Sequence, residues 1–360
     1  MKIQCFLSGT KFTGGLLVLL RHANALAERG HEVSVWTGPG PRIDWLDLKM
    51  PVRSLAEVTW NELPAGDVAI FDRRRFARPL LEAACGVPVH FCQGFEGVDV
   101  AARLERLSTR LGRWRHYFQI RRLRRRQRLI DNAYGLPTVK IAVSEHVRNV
   151  LARRFNQPVH LVPNAVSPGI FYPNDRSSEE QTVLVVGPTS TLCKRIGDAL
   201  EAVRLLKQRR PWLRLLRVSQ ERMSSSERAL GVTDEFAVML PPAALADCYR
   251  RAAVLLFPSD VTEGFGLPML EAMACGTPVL STDTPASRSF AQPCDYAVFV
   301  PVGRPDLMAA ALERLLDDPA ERLRLRQRGP EVASAYTPQS SHESMLRALA
   351  SIVAAGRVAG

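Results

Sequence analysis

The stretch Asp260 to Leu280, DVTEGFGLPMLEAMACGTPVL, constrains the fold more than any other part of the chain. It follows an apolar run, Val254 to Phe257, closed by Pro258 and Ser259. A short apolar run bounded this way reads as a buried strand. A glycine-rich turn, Glu263-Gly264-Phe265-Gly266, comes next. A helix then begins near Pro268, which suits a first helical position because it has no N–H to lose. Met269, Leu270, Met273 and Ala274 give the helix an apolar face, and Gly276 and Pro278 end it. Strand, glycine turn and helix together build an anion site in an α/β sheet, with backbone N–H groups pointing outward at a positive helix end.

Two carboxylates bracket this stretch. Glu263 lies on the turn and Glu271 on the helix, with seven residues between them. Two glutamates at such a spacing are most often a solvated loop charge and a helix-face charge. The flanking residues change that reading. Gly264-Phe265-Gly266-Leu267-Pro268 follows the first, and Ala272-Met273-Ala274-Cys275-Gly276-Thr277-Pro278-Val279 follows the second. The pattern resembles the nucleotide-sugar site of the family-4 retaining glycosyltransferases. The resemblance implies that Glu263 holds sugar hydroxyls and Glu271 the ribose hydroxyls of a nucleotide. It also implies that the backbone of Gly264, Phe265, Gly266 and Leu267 meets the donor.

The chain's 360 residues suffice for two α/β domains with full cores. Met1 to Thr10 reads as a first strand leading into a loop and not as a signal peptide, and no apolar run is long enough for a membrane span. Seven cysteines, widely spaced and without a C-x-x-C, fit reduced thiols and argue against a disulfide framework or a zinc site. The net charge of +12 sits wholly in residues 1–170, which hold 26 basic against 14 acidic side chains.

Lys2 to Leu7 reads as a strand, Ser8 to Gly15 as a loop, Leu16 to Arg29 as a helix capped by Gly30, and His31 to Trp36 as the next strand. This βαβ opening with Gly14-Gly15 at its first turn is half of a doubly wound fold. The run Leu26-Ala27-Glu28-Arg29-Gly30-His31-Glu32-Val33 resembles the start of the same family. There the glycine loop closes over the donor phosphates, a role this implies for Gly14 and Gly15. Val68 to Phe71 and Pro88 to Cys92 are further strands. The second ends at Gln93, where the family usually has a histidine touching the donor sugar. Gln93 can hydrogen-bond a hydroxyl but cannot carry a proton at neutral pH. His90, inside the strand, reads as structural.

Arg103 to Arg128 holds eleven arginines and one glutamate. Leu104, Leu107, Leu111, Trp114 and Phe118 recur at helical spacing. Such a segment suits an anionic membrane surface or a phosphate-bearing acceptor. The plainer alternative is a solvated arginine face. Nucleic acid ranks last, because no helix-turn-helix, RNA-binding signature or zinc-finger spacing is present.

Val139 to Ser144 and Val159 to Val162 are strands, with a helix from His146 to Phe155 between them. Pro168 to Ser178 reads as a linker. The strand–helix alternation restarts at Thr182 and continues to a helix at Pro319 to Arg328. A last helix spans Pro338 to Ala355. The expected fold is α/β of the GT-B type: two facing Rossmann-like domains, residues 1–168 for the acceptor and 179–335 for the donor, with a ligand cleft between them. Helix 338–355 is expected to cross back onto the first domain. Lys194 ends the loop after the second domain's first strand, where the family carries a basic pair. Lys194 matches the second member, Pro188 stands at the first, and Arg195 is the one candidate to compensate.

The resemblance implies a retaining, metal-independent glycosyl transfer from a nucleotide diphosphate sugar to a hydroxyl on a saccharide or lipid-linked acceptor, as in cell-surface polysaccharide or glycolipid assembly. Glu263, Lys194 and Gln93 are the expected catalytic residues. Lys194 would stabilise the leaving diphosphate, which itself takes the acceptor's proton. No D-x-D metal motif stands at a strand end, and no cofactor beyond the donor substrate is expected. The expected place is the cytoplasm, peripherally at the inner face of the membrane. The rival reading is a degenerate subunit that binds a sugar nucleotide or a membrane without catalysis.

Overall fold

The computed structural model describes residues 1–108, 116–174 and 179–358. They form two units, Met1–Asn164 with the residues from Gln339 on, and Ala165–Pro338.

The first unit alternates strands and helices over most of its length. Its elements are β1 (Lys2–Leu7), α1 (Gly14–Glu28), β2 (Glu32–Thr37), β3 (Val52–Ser54), β4 (Val68–Phe71), α2 (Ala77–Ala83), β5 (Val87–Cys92), α3 (Gly97–Ser108), α4 (Tyr117–Tyr134), β6 (Val139–Ala142), α5 (Glu145–Phe155) and β7 (Val159–Leu161). All seven strands are parallel, in the order β3-β2-β1-β4-β5-β6-β7. A sheet covered on both faces by helices needs continuously apolar strands. Accordingly Val68, Ala69, Ile70 and Phe71 are all fully buried. The chain direction reverses across the sheet between β1 and β4, which is where ligands bind in doubly wound folds. At that point the Ser8 N–H and hydroxyl both donate to Asp72, at 2.9 and 2.6 Å.

The second unit repeats the plan. It holds β8 (Glu179–Val186), α6 (Ile196–Lys207), β9 (Arg214–Ser219), α7 (Ser225–Leu230), β10 (Glu235–Val238), α8 (Pro242–Arg251), β11 (Ala252–Phe257), α9 (Leu267–Ala274), β12 (Val279–Thr282), β13 (Val298–Val300), α10 (Pro305–Asp317) and α11 (Pro319–Ala333). Its parallel order is β10-β9-β8-β11-β12-β13. The first six strands of each unit therefore share one topology, and the second switch point falls between β8 and β11. The core joins Val183, Val185, Val254 and Leu256 of the sheet to Leu200, Val203 and Leu206 of α6 and Leu312 and Leu315 of α10.

Helix α12 (Pro338–Val358) belongs, from Gln339, to the first unit. Met345, Ala348, Leu349 and Ile352 form its buried face at helical spacing. The Ser341 hydroxyl donates to the Pro163 carbonyl, and His342 packs edge-on against His22 of α1 at 5.1 Å.

Three details differ from the sequence reading. Helix α1 starts at Gly14, because the Thr13 hydroxyl caps it by accepting from the Leu16 N–H at 3.2 Å. Residues from Ala165 to Asn174, read partly as linker, pack into the second unit: Phe171 is buried against Tyr249, and Arg250 holds the carbonyls of Ile170 and Tyr172. Residues 175–178 of the expected linker lie outside the described residues. Among the described residues the arginine-rich segment falls on α3 and α4, and Phe118 is 82% exposed where the apolar spacing had it on a packed face. Helix α4 takes its own register instead, with Leu123, Ile130 and Tyr134 turned to the core. Leu111 and Trp114 lie outside the described residues. No helix among the described residues is long and apolar enough to cross a membrane.

Candidate active site

The second unit's switch point gathers most of the predicted site residues. The loop after β8 delivers Lys194 and the turn after β11 delivers Glu263. Their side chains meet, with Lys194 Nζ donating to Glu263 Oε2 at 2.7 Å. Glu263 is buried, and the same oxygen accepts from the Ser259 hydroxyl at 3.2 Å. Burial alone would raise the Glu263 pKa. The Lys194 charge, with hydrogen bonds from Lys194, Ser259 and the Phe265 backbone, outweighs it and holds the carboxyl below its ordinary value. Burial would likewise lower the Lys194 pKa, and Glu263 reverses that, so the ammonium stays charged although it is enclosed. The Phe257 ring lies 5.5 Å from Nζ and adds a cation–π contact.

Local backbone chemistry explains this convergence. Gly187 ends β8 with φ +126°, a value that favours glycine. Beneath it the buried Arg217 of β9 donates to the carbonyls of Val185 and Gly187 at 2.9 Å and to Glu227 at 2.7 Å, which braces the start of the Lys194 loop. Gly266, at φ +94°, caps α9, with the Phe257 ring 3.3 Å from where a Cβ would sit. Pro268 falls second in that helix, one position later than the sequence suggested. Gly264, Phe265 and Gly266 are buried and Leu267 half-buried. The Phe265 N–H is directed at Glu263, so it serves the carboxylate rather than standing free for an anion.

Glu271 lies half-buried on α9, about one helical turn past its start, and its Oε2 accepts from the Tyr249 hydroxyl at 2.8 Å. Arg195 turns away from Lys194: it pairs with Asp198 at 2.6 Å, and its guanidinium lies against Gly303. The second cation of the expected pair is therefore engaged elsewhere.

Gln93, Gly14 and Gly15 sit together in the first unit. Gln93 follows β5, and its amide donates to the Gly15 carbonyl in the first turn of α1. A Cβ on residue 15 would run into the Gln93 side chain. Glycine at 15 thus makes room for Gln93. His90 is buried, stacked on Phe71 at 4.7 Å and against Tyr134 at 4.8 Å, as a core side chain.

Sequence reading missed Ser259 and Tyr249. Ser259 left a local trace as the last residue before the turn. Tyr249 left none, because it reaches Glu271 across 22 residues of chain. No group of three or more histidine, cysteine or acidic side chains suited to a metal occurs among the described residues.

A family model described as glycosyl transferases group 1 matches residues 170–332, the span that holds Lys194, Glu263 and Glu271. This part of the chain belongs to the glycosyl transferases group 1. A D-inositol 3-phosphate glycosyltransferase from Nocardiopsis dassonvillei is 27% identical over 379 residues, covering 91% of this chain and 87% of that protein. A phosphatidyl-myo-inositol mannosyltransferase from Mycobacterium tuberculosis is 30% identical over 180 residues, 48% of each chain. Anabaena Alr3699/HepE, whose crystal structure is in complex with UDP-glucose, is 13% identical and aligns over 98% of this glycosyltransferase and 100% of its own chain with a TM-score of 0.75. The two Rossmann-like domains are those of the GT-B glycosyltransferases.

Proposed function

We propose that this glycosyltransferase moves a sugar from a nucleoside diphosphate sugar to an acceptor hydroxyl with retention at the anomeric carbon and without a metal ion. The observation that carries the reading is the enclosed Lys194–Glu263 pair at the second switch point. In the transfer, the bond from the anomeric carbon to the diphosphate oxygen breaks and its electrons pass to the phosphate. The acceptor oxygen bonds the same carbon from the same face, and its proton goes to the departing phosphate. Charge grows on the diphosphate, and a fixed cation in a dry site stabilises it best. Lys194 supplies that cation, kept protonated by Glu263. Glu263 orients sugar hydroxyls, Glu271 takes ribose hydroxyls, and Gln93 offers hydrogen bonds to the sugar. Gly14, Gly15 and the Gly264 to Leu267 backbone shape the donor's surroundings.

The names of the relatives support a phosphate-bearing or lipid-linked acceptor. Helix α4 supports the same at a membrane. Arg121, Arg122, Arg124, Arg125, Arg126 and Arg128 are all exposed, and none makes an ion pair among the described residues. Tyr117, Phe118 and Leu129 are exposed beside them. We place the enzyme at the cytoplasmic face, held there peripherally by this helix.

The test is a panel of sugar nucleotides with the wild type and Glu263→Ala. Release of one nucleoside diphosphate, lost in the variant, together with an unchanged anomeric configuration in the product by NMR, is the expected result. Inversion would overturn the retaining mechanism. Donor binding with no turnover toward any saccharide or lipid-linked acceptor would turn the reading to a binding subunit.

A further inference from the structure

The hydrogen bond between Tyr249 and Glu271 has no part in the scheme above, yet it is built with care. The Tyr249 ring is wholly buried on α8 and meets Phe171 edge-on at 6.2 Å. Its own carbonyl is tied to α9's far end by the Thr277 hydroxyl at 2.7 Å. The Cys275 thiol reaches the Ala246 carbonyl, one turn earlier on α8, at 3.9 Å. These contacts fix the phenol without help from Glu271. A buried phenol has no freedom except rotation of its O–H, so the oxygen it reaches for must come to it.

We infer that Tyr249 is a positioning residue that pins one carboxylate oxygen of Glu271 and so orients the side chain to accept the two adjacent hydroxyls of a ribose. This rests on the proposed role of Glu271. The geometry favours it over a purely structural bond for two reasons. A phenol donating to an ionised carboxylate makes a strong, directional contact, and a bond to a fixed phenol selects among the several rotamers open to a glutamate side chain. A carboxylate has lone pairs for about four hydrogen bonds, and Tyr249 takes one. The phenol stays protonated, since burial first and the Glu271 charge second both push its pKa up, so it is always the donor. A site built to hydrogen-bond a hydroxyl discriminates against ligands that lack it. Tyr249 then sets how sharply the enzyme separates ribonucleotide from deoxyribonucleotide donors.

The experiment titrates wild type, Tyr249→Phe and Glu271→Ala by calorimetry with uridine and guanosine diphosphates and with their 2′-deoxy counterparts. The readout is the ratio of deoxy to ribo Kd for whichever base binds. In Tyr249→Phe this ratio should fall about fivefold or more, mainly through weaker binding of the ribonucleotide, with deoxynucleotide affinity little changed. In Glu271→Ala it should approach one. A structural defect would weaken both ligands alike and leave the ratio intact, and that result would overturn the positioning role. A ratio unchanged in Glu271→Ala would instead overturn the ribose assignment and the inference with it. Tyr249→Phe removes a single oxygen, and melting temperatures measured alongside show that both variants are folded.

Discussion

The ion pair of Lys194 and Glu263 ties charge, stability and chemistry to two side chains. Their exposures are 19% and 11%, so solvent screens them little. Removing one partner of an enclosed pair strands the other, which costs about 3 kcal/mol or more when burial is complete and somewhat less here. Glu263→Ala should therefore lower unfolding stability by about 2 kcal/mol, and Lys194→Ala should cut turnover about 100-fold or more through lost charge stabilisation. The pH window follows from the signs. The Glu263 pKa is lowered below 4.5, so its contribution is complete above 4.5 and fades as pH falls through the depressed value. The Lys194 pKa is raised above 10.5, so its contribution is complete below 10.5 and fades as pH rises through the raised value. The stability gap between wild type and Glu263→Ala should stay flat around neutral pH, narrow below about pH 5, and narrow again on the alkaline side, where the Lys194 left unpaired in the variant sheds its proton because burial then lowers its pKa. Urea unfolding at a series of pH values reads it directly, and a gap that varies across neutral pH would show the pair is not ionised as described. Both residues were legible because each belongs to a local motif. Ser259 and Tyr249 act through contacts that only the folded chain creates. Arg195 shows the converse, since sequence adjacency to Lys194 says nothing of direction and its positive φ turns it to Asp198.

Elements were legible in proportion to their length and pattern. The buried strands β1, β4 and β11 and the long helices announce themselves by continuous apolar runs or a 3.6-residue period. Strands β3 and β10 did not: each is a three- or four-residue edge strand whose side chains are half-buried or exposed, so no apolar run marks it. The arginine-rich segment was legible in composition but not in register. Its buried stripe in α4 is Leu123, Ile130 and Tyr134, which leaves Phe118 on another side with the exposed Tyr117. Six exposed guanidiniums, without an ion pair among the described residues and close to the exposed Tyr117 and Phe118, are worth about 1 kcal/mol each near an anionic surface. Wild-type enzyme should co-sediment with vesicles containing phosphatidylserine and not with pure phosphatidylcholine, and 0.5 M salt should release it. Replacing Arg121, Arg122, Arg124 and Arg125 with glutamate should abolish sedimentation. Phe118→Ala should weaken it a few-fold at unchanged salt dependence, since it removes apolar contact and no charge. Equal binding to both vesicle types would return the helix to a solvated face.

At the scale of the whole chain, the repeated strand order placed both switch points, and the alternation of strands and helices foretold that. The return of α12 to the first unit is anchored by a feature that composition could not show. His22 is buried, its Nδ1 has no hydrogen-bond partner among the described residues, and its Nε2 lies 3.5 Å from the Ser341 hydroxyl of α12. Burial, with the neighbouring His342, lowers its pKa to about 3. His90 of β5 is also lowered to about 3, by burial and then by Lys140. Unfolded histidines titrate near 6.5, so below that pH the unfolded chain takes up protons that the first unit refuses. Each such histidine then withdraws about 1.4 kcal/mol of stability per pH unit as pH falls from 6.5 toward 3. Between pH 7 and pH 5 the two together should cost the first unit about 4 kcal/mol. Carboxylates contribute little in that interval because their ordinary values lie below it. Trp36, Trp45 and Trp60 report on this unit and Trp212 on the other, so fluorescence-detected urea unfolding at constant ionic strength in a Trp212→Phe background follows it. The midpoint should fall steadily from pH 6.5 to 5, and His22→Leu should make the slope shallower without abolishing it, because burial also lowers the pKa values of His31, His90, His160 and His342 in the same unit. A midpoint independent of pH in this range would mean that the folded unit accepts these protons, and that α12 is not held against a neutral His22.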